Sequence, residues 1–252
     1  MVLESKIKNY WEGEAQQYST GIKKDLESEG KDVWRELVYQ YLPHGSKNTK
    51  LKILDIGTGP GFFPIIFGLD GHDVTGIDLT ENMLGCAMEN AMHQGVVANF
   101  LRMDCQALDF ADNSFDLLIS RNLTWILEYP KKTYKEWLRV LKPGGHLLIF
   151  DANWNGYLFD DELQKKHEED VEAVRKKYGE ATHDHCDMAE SERISEKLPM
   201  GRYNRPIWDL ETLMNIGFTK IFSEINLNEK IYNERQKLEY GNTPMFVVGG
   251  KK

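Results

Sequence analysis

The chain has 252 residues, enough to bury one full core without dividing into domains. Its formal net charge of -9 at pH 7 argues against a nucleic-acid or anionic-membrane partner, because a phosphate surface selects a basic footprint. Three cysteines, Cys86, Cys105 and Cys186, form no CxxC pair and point to a reduced compartment without a disulfide framework; the opening MVLESKIKNYW has no long apolar region, so the reading is a cytoplasmic chain without a signal peptide or membrane span.

The first 45 residues read as an N-terminal helical cap. Tyr10, Trp11 and Tyr18 stand on a polar segment ahead of the core, where rings pin a helix onto a sheet. Over residues 32–42, Val33, Trp34, Leu37, Val38 and Tyr41 fall on one helical face, and Pro43, His44 and Gly45 stop that helix. Residues 46–50 form a polar linker.

Residues 51–79, LKILDIGTGPGFFPIIFGLDGHDVTGIDL, organise the chain. The apolar run through Leu51, Ile53, Leu54 and Ile56 predicts a buried parallel strand. Gly57, Gly59 and Gly61 follow it, then a crossover helix over 62–69, then a second strand over 72–77 with Asp78 at its end. Glycines at a strand-to-helix turn let backbone approach a ligand closely. The free N–H groups of the helix start point into the same space. Asp78 lies 21 residues after Gly57, where a carboxylate can accept both hydroxyls of a ribose. A dinucleotide fingerprint, G-x-G-x-x-G, needs glycine at position 62; Phe62 stands there and fills the room of a pyrophosphate. The expected ligand contains a ribose and no phosphate.

Thr80 is a plausible N-cap for a helix over 81–94 with Met83, Leu84, Ala87 and Ala91 inward and Met88 and Met92 at its edge. A third strand spans 97–102, followed by Asp104 and Cys105 at the ligand end. A fourth spans 116–120, followed by Arg121, Asn122 and Trp125, which read as acceptor contacts. Arg121 either holds an anionic group in a bidentate pair or ties helix ends together. A helix over 130–141 turns inward Tyr134, Trp137, Leu138 and Leu141; residues 142–145 are a turn, and 146–150 the fifth strand. Asp151, Asn153 and Trp154 leave that strand on the substrate side, and His146 opens it at the structural end.

Residues 155–205 exceed what a simple doubly wound sheet needs and read as a substrate lid. Leu163, His167, Val171, Val174 and Tyr178 make an amphipathic stripe. His183, His185 and Cys186 admit three readings: a soft metal site, a histidine acting as base or substrate ligand, or ordinary loop residues. No metal is expected. Arg202, Tyr203 and Arg205 form a basic and aromatic cluster that faces an acidic acceptor group or steadies the lid. Pro206 opens a helix ending at Gly217 with Ile207, Leu210 and Met214 inward. A sixth strand spans 218–226, residues 230–240 form a charged connection, and a short last strand spans 245–248.

LDIGTGPG followed by GIDL resembles motif I and the second strand of the class I, Rossmann-like S-adenosylmethionine-dependent methyltransferases, in their small-molecule group. The resemblance continues through DCQALDFADNSFDLLISRNLTWIL and LRVLKPGGHLLIFD, covering about residues 51–151. It implies a single domain with a doubly wound, seven-stranded, mostly parallel sheet whose last strand is antiparallel and inserts beside the sixth. It implies that Asp55, Gly57, Gly59 and Gly61, with Thr58 among them, surround the methionine part of the cofactor. Asp78 and the adjoining Leu79 match the ribose site, Met83 packs near the ribose, and Asp104 and Cys105, followed by Gln106, lie beside the adenine. Tyr18 matches a segment that folds over the methionine end, where rings suit a sulfonium; pinning the helix is the other reading. Arg121 stands near cofactor and acceptor alike.

The implied function is methyl transfer from S-adenosylmethionine to a small-molecule acceptor by in-line displacement, driven by positioning and exclusion of water. The acceptor atom, N, O, S or C, stays open; Tyr18, His183 and His185 are the candidate catalytic groups. A nicotinamide-dependent oxidoreductase and a non-catalytic adenosyl-ligand-binding regulatory protein are the alternatives. The expected assembly is a monomer or homodimer with no nucleic-acid or membrane partner.

Overall fold

The computed structural model describes residues 3–179 and 187–252. Two helices open it. α1 (Leu3–Glu27) buries Ile7, Ala15, Ser19, Ile22 and Leu26, and α2 (Gly30–Gln40) buries Trp34, Leu37 and Val38. Val33, expected inward, is 38% exposed: the buried stripe centres on Trp34 and Val38, one residue and so over a quarter-turn away.

Strands and helices then alternate: β1 (Lys52–Ile56), α3 (Phe62–Leu69), β2 (Asp73–Asp78), α4 (Glu81–His93), β3 (Asn99–Arg102), β4 (Phe115–Arg121), α5 (Pro130–Val140) and β5 (Leu141–Asp151). α6 (Asp161–Tyr178) and α7 (Met188–Ser195) come next. α8 (Ile207–Ile216), β6 (Thr219–Glu224), α9 (Asn228–Ile231), α10 (Glu234–Glu239) and β7 (Phe246–Lys251) complete the chain. The sheet runs β3-β2-β1-β4-β5-β7-β6. β7 is antiparallel to both β5 and β6, and the pairs from β3 to β5 are parallel, as expected.

Successive strand residues feed opposite cores, as period-two geometry requires. Ile53, Leu117, Ile119, Leu148, Phe150 and Val247 pack under α1, α2 and α3. Leu54, Leu118, Leu147, Ile149 and Val248 pack under α5 and α8. The strand order reverses at β1, with β2 on one side and β4 on the other. The crevice of a doubly wound sheet opens at that point, beyond the strand C-termini.

Three local expectations are corrected. Residues 142–145 are no separate turn. β5 begins at Leu141, and its register against β4 jumps from Phe115–Leu141 to Leu117–His146, so the KPGG stretch bulges within the strand. On α8, Ile207 and Met214 are 52% and 61% exposed, while Asp209, Thr212 and Leu213 are buried. The inner face is organised by the charged Asp209, which meets Arg205 one turn before it and the distant Tyr134 of α5. Thr80 is the N-cap of α4, but its hydroxyl donates to Asp78 Oδ1 at 2.8 Å. The Glu12 carboxylate of α1 caps instead, accepting Glu81 N–H at 3.0 Å and Asn82 N–H at 2.9 Å. That cap locks α1 across the open end of the sheet. Among the described residues, no helix is long and apolar enough to cross a membrane.

Candidate active site

The turn after β1 forms as its glycines require. Gly57, Gly59 and Gly61 have φ of 69°, 51° and 87°, the left-handed region that glycine enters without penalty. A Cβ on Gly57 would meet Leu123 Cδ1 at 2.7 Å, and one on Gly59 would touch Tyr18 Cε1 at 3.8 Å and Met83 Sδ at 3.9 Å. A Cβ on Gly61 would press on Ala87 of α4 at 3.0 Å. Gly57 therefore makes room for the Leu123 side chain, Gly59 leaves its side of the cavity clear between Tyr18 and Met83, and Gly61 permits close helix packing.

That cavity is lined by Tyr18, Gly57, Gly59, Asp78, Leu79, Met83, Asp104, Cys105, Gln106 and Arg121, all expected at a cofactor. Asp55, Thr58 and Gly61 were expected with them and do not line it. They lie behind the turn: Asp55 is 2% exposed at the end of β1, and Thr58 N–H donates back to Ile77 O at 2.8 Å. Lys8, Trp11, Leu123 and Ile126 line the cavity and were not assigned to it. Trp11, Leu123 and Ile126 stand within the segments that carry the family resemblance, but local spacing did not single them out for the cavity.

Asp78 is held ready at the floor. Its Oδ2 accepts Gly59 N–H at 3.0 Å, and its Oδ1 accepts the Thr80 N–H and hydroxyl at 3.0 and 2.8 Å. A carboxylate has about four lone-pair sites, so Oδ2 keeps an open one. Burial raises the Asp78 carboxyl, against the Thr80 and Gly59 bonds that lower it. At the other end, Asp104 caps its own turn by accepting Gln106 N–H at 2.9 Å. Burial pushes the Cys105 thiol well up, so the sulfur is an inert small side chain, and its carbonyl accepts the Trp137 indole N–H at 2.9 Å.

Burial also pushes the Asp55 carboxyl up to about 7, against the lowering by Thr58 and Arg121. A carboxyl whose folded value exceeds its unfolded value of about 3.9 binds a proton more readily when folded. Its contribution to stability is therefore full below about pH 4 and is lost as pH rises toward 7. Replacing Asp55 by Asn should remove that slope. The difference in urea-unfolding free energy between variant and parent should grow in the variant's favour from pH 4.5 to 7.5.

A second, larger cavity, about 630 Å³, adjoins the first. Trp11, Tyr18, Arg121 and Asn122 line both. Its walls carry many aromatic rings: Trp34, Trp125, Trp154, Tyr157 and Tyr232 join Trp11 and Tyr18. Arg121 lies among rings, its guanidinium carbon 4.2, 5.0 and 5.7 Å from the Phe62, Trp34 and Phe63 centroids. Phe62, expected to fill the room of a pyrophosphate, is buried in the core and lines neither cavity, and its ring supports the arginine.

The expected acceptor residues divide. Arg121, Asn122 and Trp125 line the second cavity. Asn153, Arg202 and Tyr203 do not. The Asn153 side chain fills the space beside Gly156, 2.4 Å from where a Cβ there would sit. Arg202 lies over the Phe159 ring at 4.1 Å and donates to Glu196 O at 3.2 Å, and Tyr203 stacks on Trp208 with centroids 4.4 Å apart. These rings and carbonyls offer the two cluster residues partners within their own segment. His183, His185 and Cys186 lie outside the described residues. Among the described residues, no group of three His, Cys, Asp or Glu side chains is placed to hold a metal.

Asp151, expected to face substrate, is instead fully buried at the centre of a hydrogen-bond network. Its carboxylate accepts from the Thr124 hydroxyl, Trp125 N–H at 3.2 Å, Ala152 N–H at 2.9 Å and Trp154 Nε1 at 2.8 Å. Arg205 adds Nη1 at 3.4 Å, while its Nε meets Asp209 Oδ2 at 2.9 Å and its Nη2 meets Thr124 Oγ1 at 2.6 Å. Tyr134 Oη donates to Asp209 Oδ1 at 2.7 Å. Trp125 and Trp154, two walls of the larger cavity, thus hang from one carboxylate.

Residues 54–149 match the family model described as a methyltransferase domain. The chain is 35% identical over 102 residues to a phosphoethanolamine N-methyltransferase of Triticum aestivum, covering 40% of this chain and 20% of that one. It is 36% identical over 119 residues to a malonyl-[acyl-carrier protein] O-methyltransferase of Erwinia pyrifoliae, covering 47% and 44%. The chain thus spans less than half the length of these two curated relatives. Among solved structures, phosphoethanolamine N-methyltransferase 2 of Haemonchus contortus, in complex with S-adenosyl-L-methionine, shares the fold. Its TM-score is 0.55 at 20% identity, over 81% of this chain and 49% of that one. A Pyrococcus horikoshii protein matches with a TM-score of 0.56 at 20% identity, over 88% and 89%.

Proposed function

The chain belongs, through residues 54–149, to the class I, Rossmann-like S-adenosylmethionine-dependent methyltransferases, and on that premise we propose that it transfers the methyl group of S-adenosylmethionine to a small molecule held in the larger cavity. The observation that carries this reading is the junction of the two cavities, where Tyr18, Arg121 and Asn122 face both spaces. A group bound in the first can meet a group bound in the second there. The residues fit the cofactor. The open Oδ2 site of Asp78 suits a ribose hydroxyl, and the clear space beside Gly59 suits the chain that follows the ribose. Asp104 to Gln106 line the far end, where a flat base would lie. Arg121 has no carboxylate partner among the described residues and suits the cofactor's own carboxylate.

When bound, the cofactor supplies an electrophilic methyl on a sulfonium. The protein's work is to orient and to exclude water. Trp11 and Tyr18 place ring faces beside a soft cation, and Trp125 stands edge-on to Trp11 with centroids 6.3 Å apart. Residues 155–205 act as the lid in this proposal: Asn155, Tyr157 and His167 reach the cavity wall, and Tyr157 stacks on His167 at 4.1 Å. Residues 1–45 act as the opposite cover. The names of the relatives span nitrogen and oxygen acceptors, so the walls of this chain's own cavity select the acceptor atom.

The test is calorimetry followed by mass measurement. S-adenosylmethionine and S-adenosylhomocysteine should bind far more tightly than NAD, and a metabolite library incubated with S-adenosylmethionine should yield a product heavier by one methylene. Equal affinity for NAD would favour the oxidoreductase. Tight cofactor binding with no methylated product would favour a regulatory adenosyl-binding protein.

A further inference from the structure

The larger cavity carries one carboxylate and one carbonyl oxygen whose partners are missing from the described residues. Asp25 of α1 lines that cavity, is half-buried, and forms no ion pair or side-chain hydrogen bond among the described residues. Burial pushes its carboxyl up, against the field of Arg121. Asn122, at the junction, has a left-handed backbone with φ of 56°, and its side-chain Oδ1 is buried without a donor. A buried carbonyl without a partner costs about 1–3 kcal/mol. The vacant partner of each group is a donor or a cation.

Around them stand aromatic faces. Trp11, Tyr18 and Asp25 recur at seven-residue spacing, so one stripe of α1 presents two rings and then the acid. The cavity's other charged groups are Glu14, Glu239, Lys24 and Arg121, with His167 at the lid; Lys24 is exposed, and Arg121 is assigned above to the cofactor carboxylate.

We propose that the acceptor is an organic amine with an apolar or aromatic body, its N–H received by the Asn122 side-chain carbonyl and its charge after transfer balanced by the Asp25 carboxylate among the Trp11, Tyr18 and Trp125 rings. This rests on the methyl-transfer reading. The amine enters neutral. Its lone pair forms the N–CH3 bond as the CH3–S bond breaks, and the sulfur keeps the bonding pair and becomes a neutral thioether. The positive charge passes from sulfur to nitrogen, and the product leaves as an ammonium ion. A wall that favours a cation is thereby stronger in the transition state than in the ground state, which is the condition for catalysis. An oxygen anion as acceptor would cancel the charge and meet the uncompensated Asp25.

The test uses the full chain saturated with S-adenosylhomocysteine and titrated with benzylamine, benzyltrimethylammonium, benzyl alcohol and benzoate. Both cations should bind at least tenfold more tightly than the alcohol, and benzoate most weakly. Asp25→Asn should bring the cations to within about threefold of the alcohol while S-adenosylhomocysteine affinity stays at the parent value. Asn122→Gly, which the left-handed backbone accepts, should weaken benzylamine at least threefold and leave benzyltrimethylammonium, which has no N–H, unchanged. The proposal is overturned by equal or absent binding of the four probes, by a preference for benzoate, or by a cation preference that survives Asp25→Asn. Loss of S-adenosylhomocysteine binding by the parent protein would instead overturn the methyl-transfer reading, and the amine with it.

Discussion

Replacing Arg205 with methionine should lower the free energy of unfolding by about 3–5 kcal/mol, the cost of removing one partner from a buried charge pair. Arg205, Asp151 and Asp209 have fully buried side chains. Methionine approximates the length of the arginine stem but leaves two carboxylates without their cation. Part of the debt is relieved, because Asp151 keeps the Thr124, Trp125, Ala152 and Trp154 donors and Asp209 keeps Tyr134. Urea-induced unfolding measures the loss. Arg205→Lys should fall between the two, since an ammonium cannot match the fork that spans Asp209, Asp151 and Thr124. A loss under about 1 kcal/mol for the methionine variant would mean that water reaches the network. The same variant should loosen the acceptor wall, because Trp125 and Trp154 are anchored to Asp151. Its tryptophan fluorescence should shift to the red while the parent's does not.

Changing Asp78 to alanine should weaken S-adenosylmethionine binding by about 1.5–3 kcal/mol, the scale of charge-assisted hydrogen bonds, or roughly ten- to 150-fold. The effect has two sources. The ligand loses an acceptor at the cavity floor. The turn also loses the acceptor for Gly59 N–H and for both Thr80 donors. Asp78→Asn separates them, since the amide oxygen can keep part of the turn while removing the charge; it should lie nearer to the parent. Calorimetry with each variant measures the difference, and an alanine variant that binds as tightly as the parent would place the ribose elsewhere.

Much of the cofactor side was legible from local sequence. Strand, glycine turn, helix and acid over residues 51–79 are set by backbone conformation and short-range spacing. β1, α3 and β2 accordingly lie within one residue of expectation. The sheet follows from apolar runs, because strands buried on both faces leave few alternatives. The same locality grouped Asp55, Thr58 and Gly61 with the cofactor residues, yet they do not line the cavity, because motif position says nothing of which side of the turn a side chain occupies. The three-dimensional contacts sent Asp55 into the core and spent Gly61 on the packing of α3 against α4.

What the sequence by itself determined is the frame: a mostly parallel doubly wound sheet with a glycine turn and an acid at the ends of β1 and β2, because backbone sterics and alternating burial act over a few residues. Only the tertiary structure decided what that frame faces. Whether a charge is buried depends on partners supplied from far along the chain. Asp209 faces inward, where it meets Arg205 one turn before it and the distant Tyr134; Asp151 became a buried anchor for Thr124 and Arg205; and at the N-cap Thr80 the cap bonds of α4 come from the distant Glu12 carboxylate. The wall of the larger cavity is likewise assembled from α1, the ends of β4 and β5, α6 and the segment before β7. No spacing rule connects residues such as Asp25, Asn122, Trp154 and Tyr232; they share a cavity because the sheet and its two covers fold their segments to one edge.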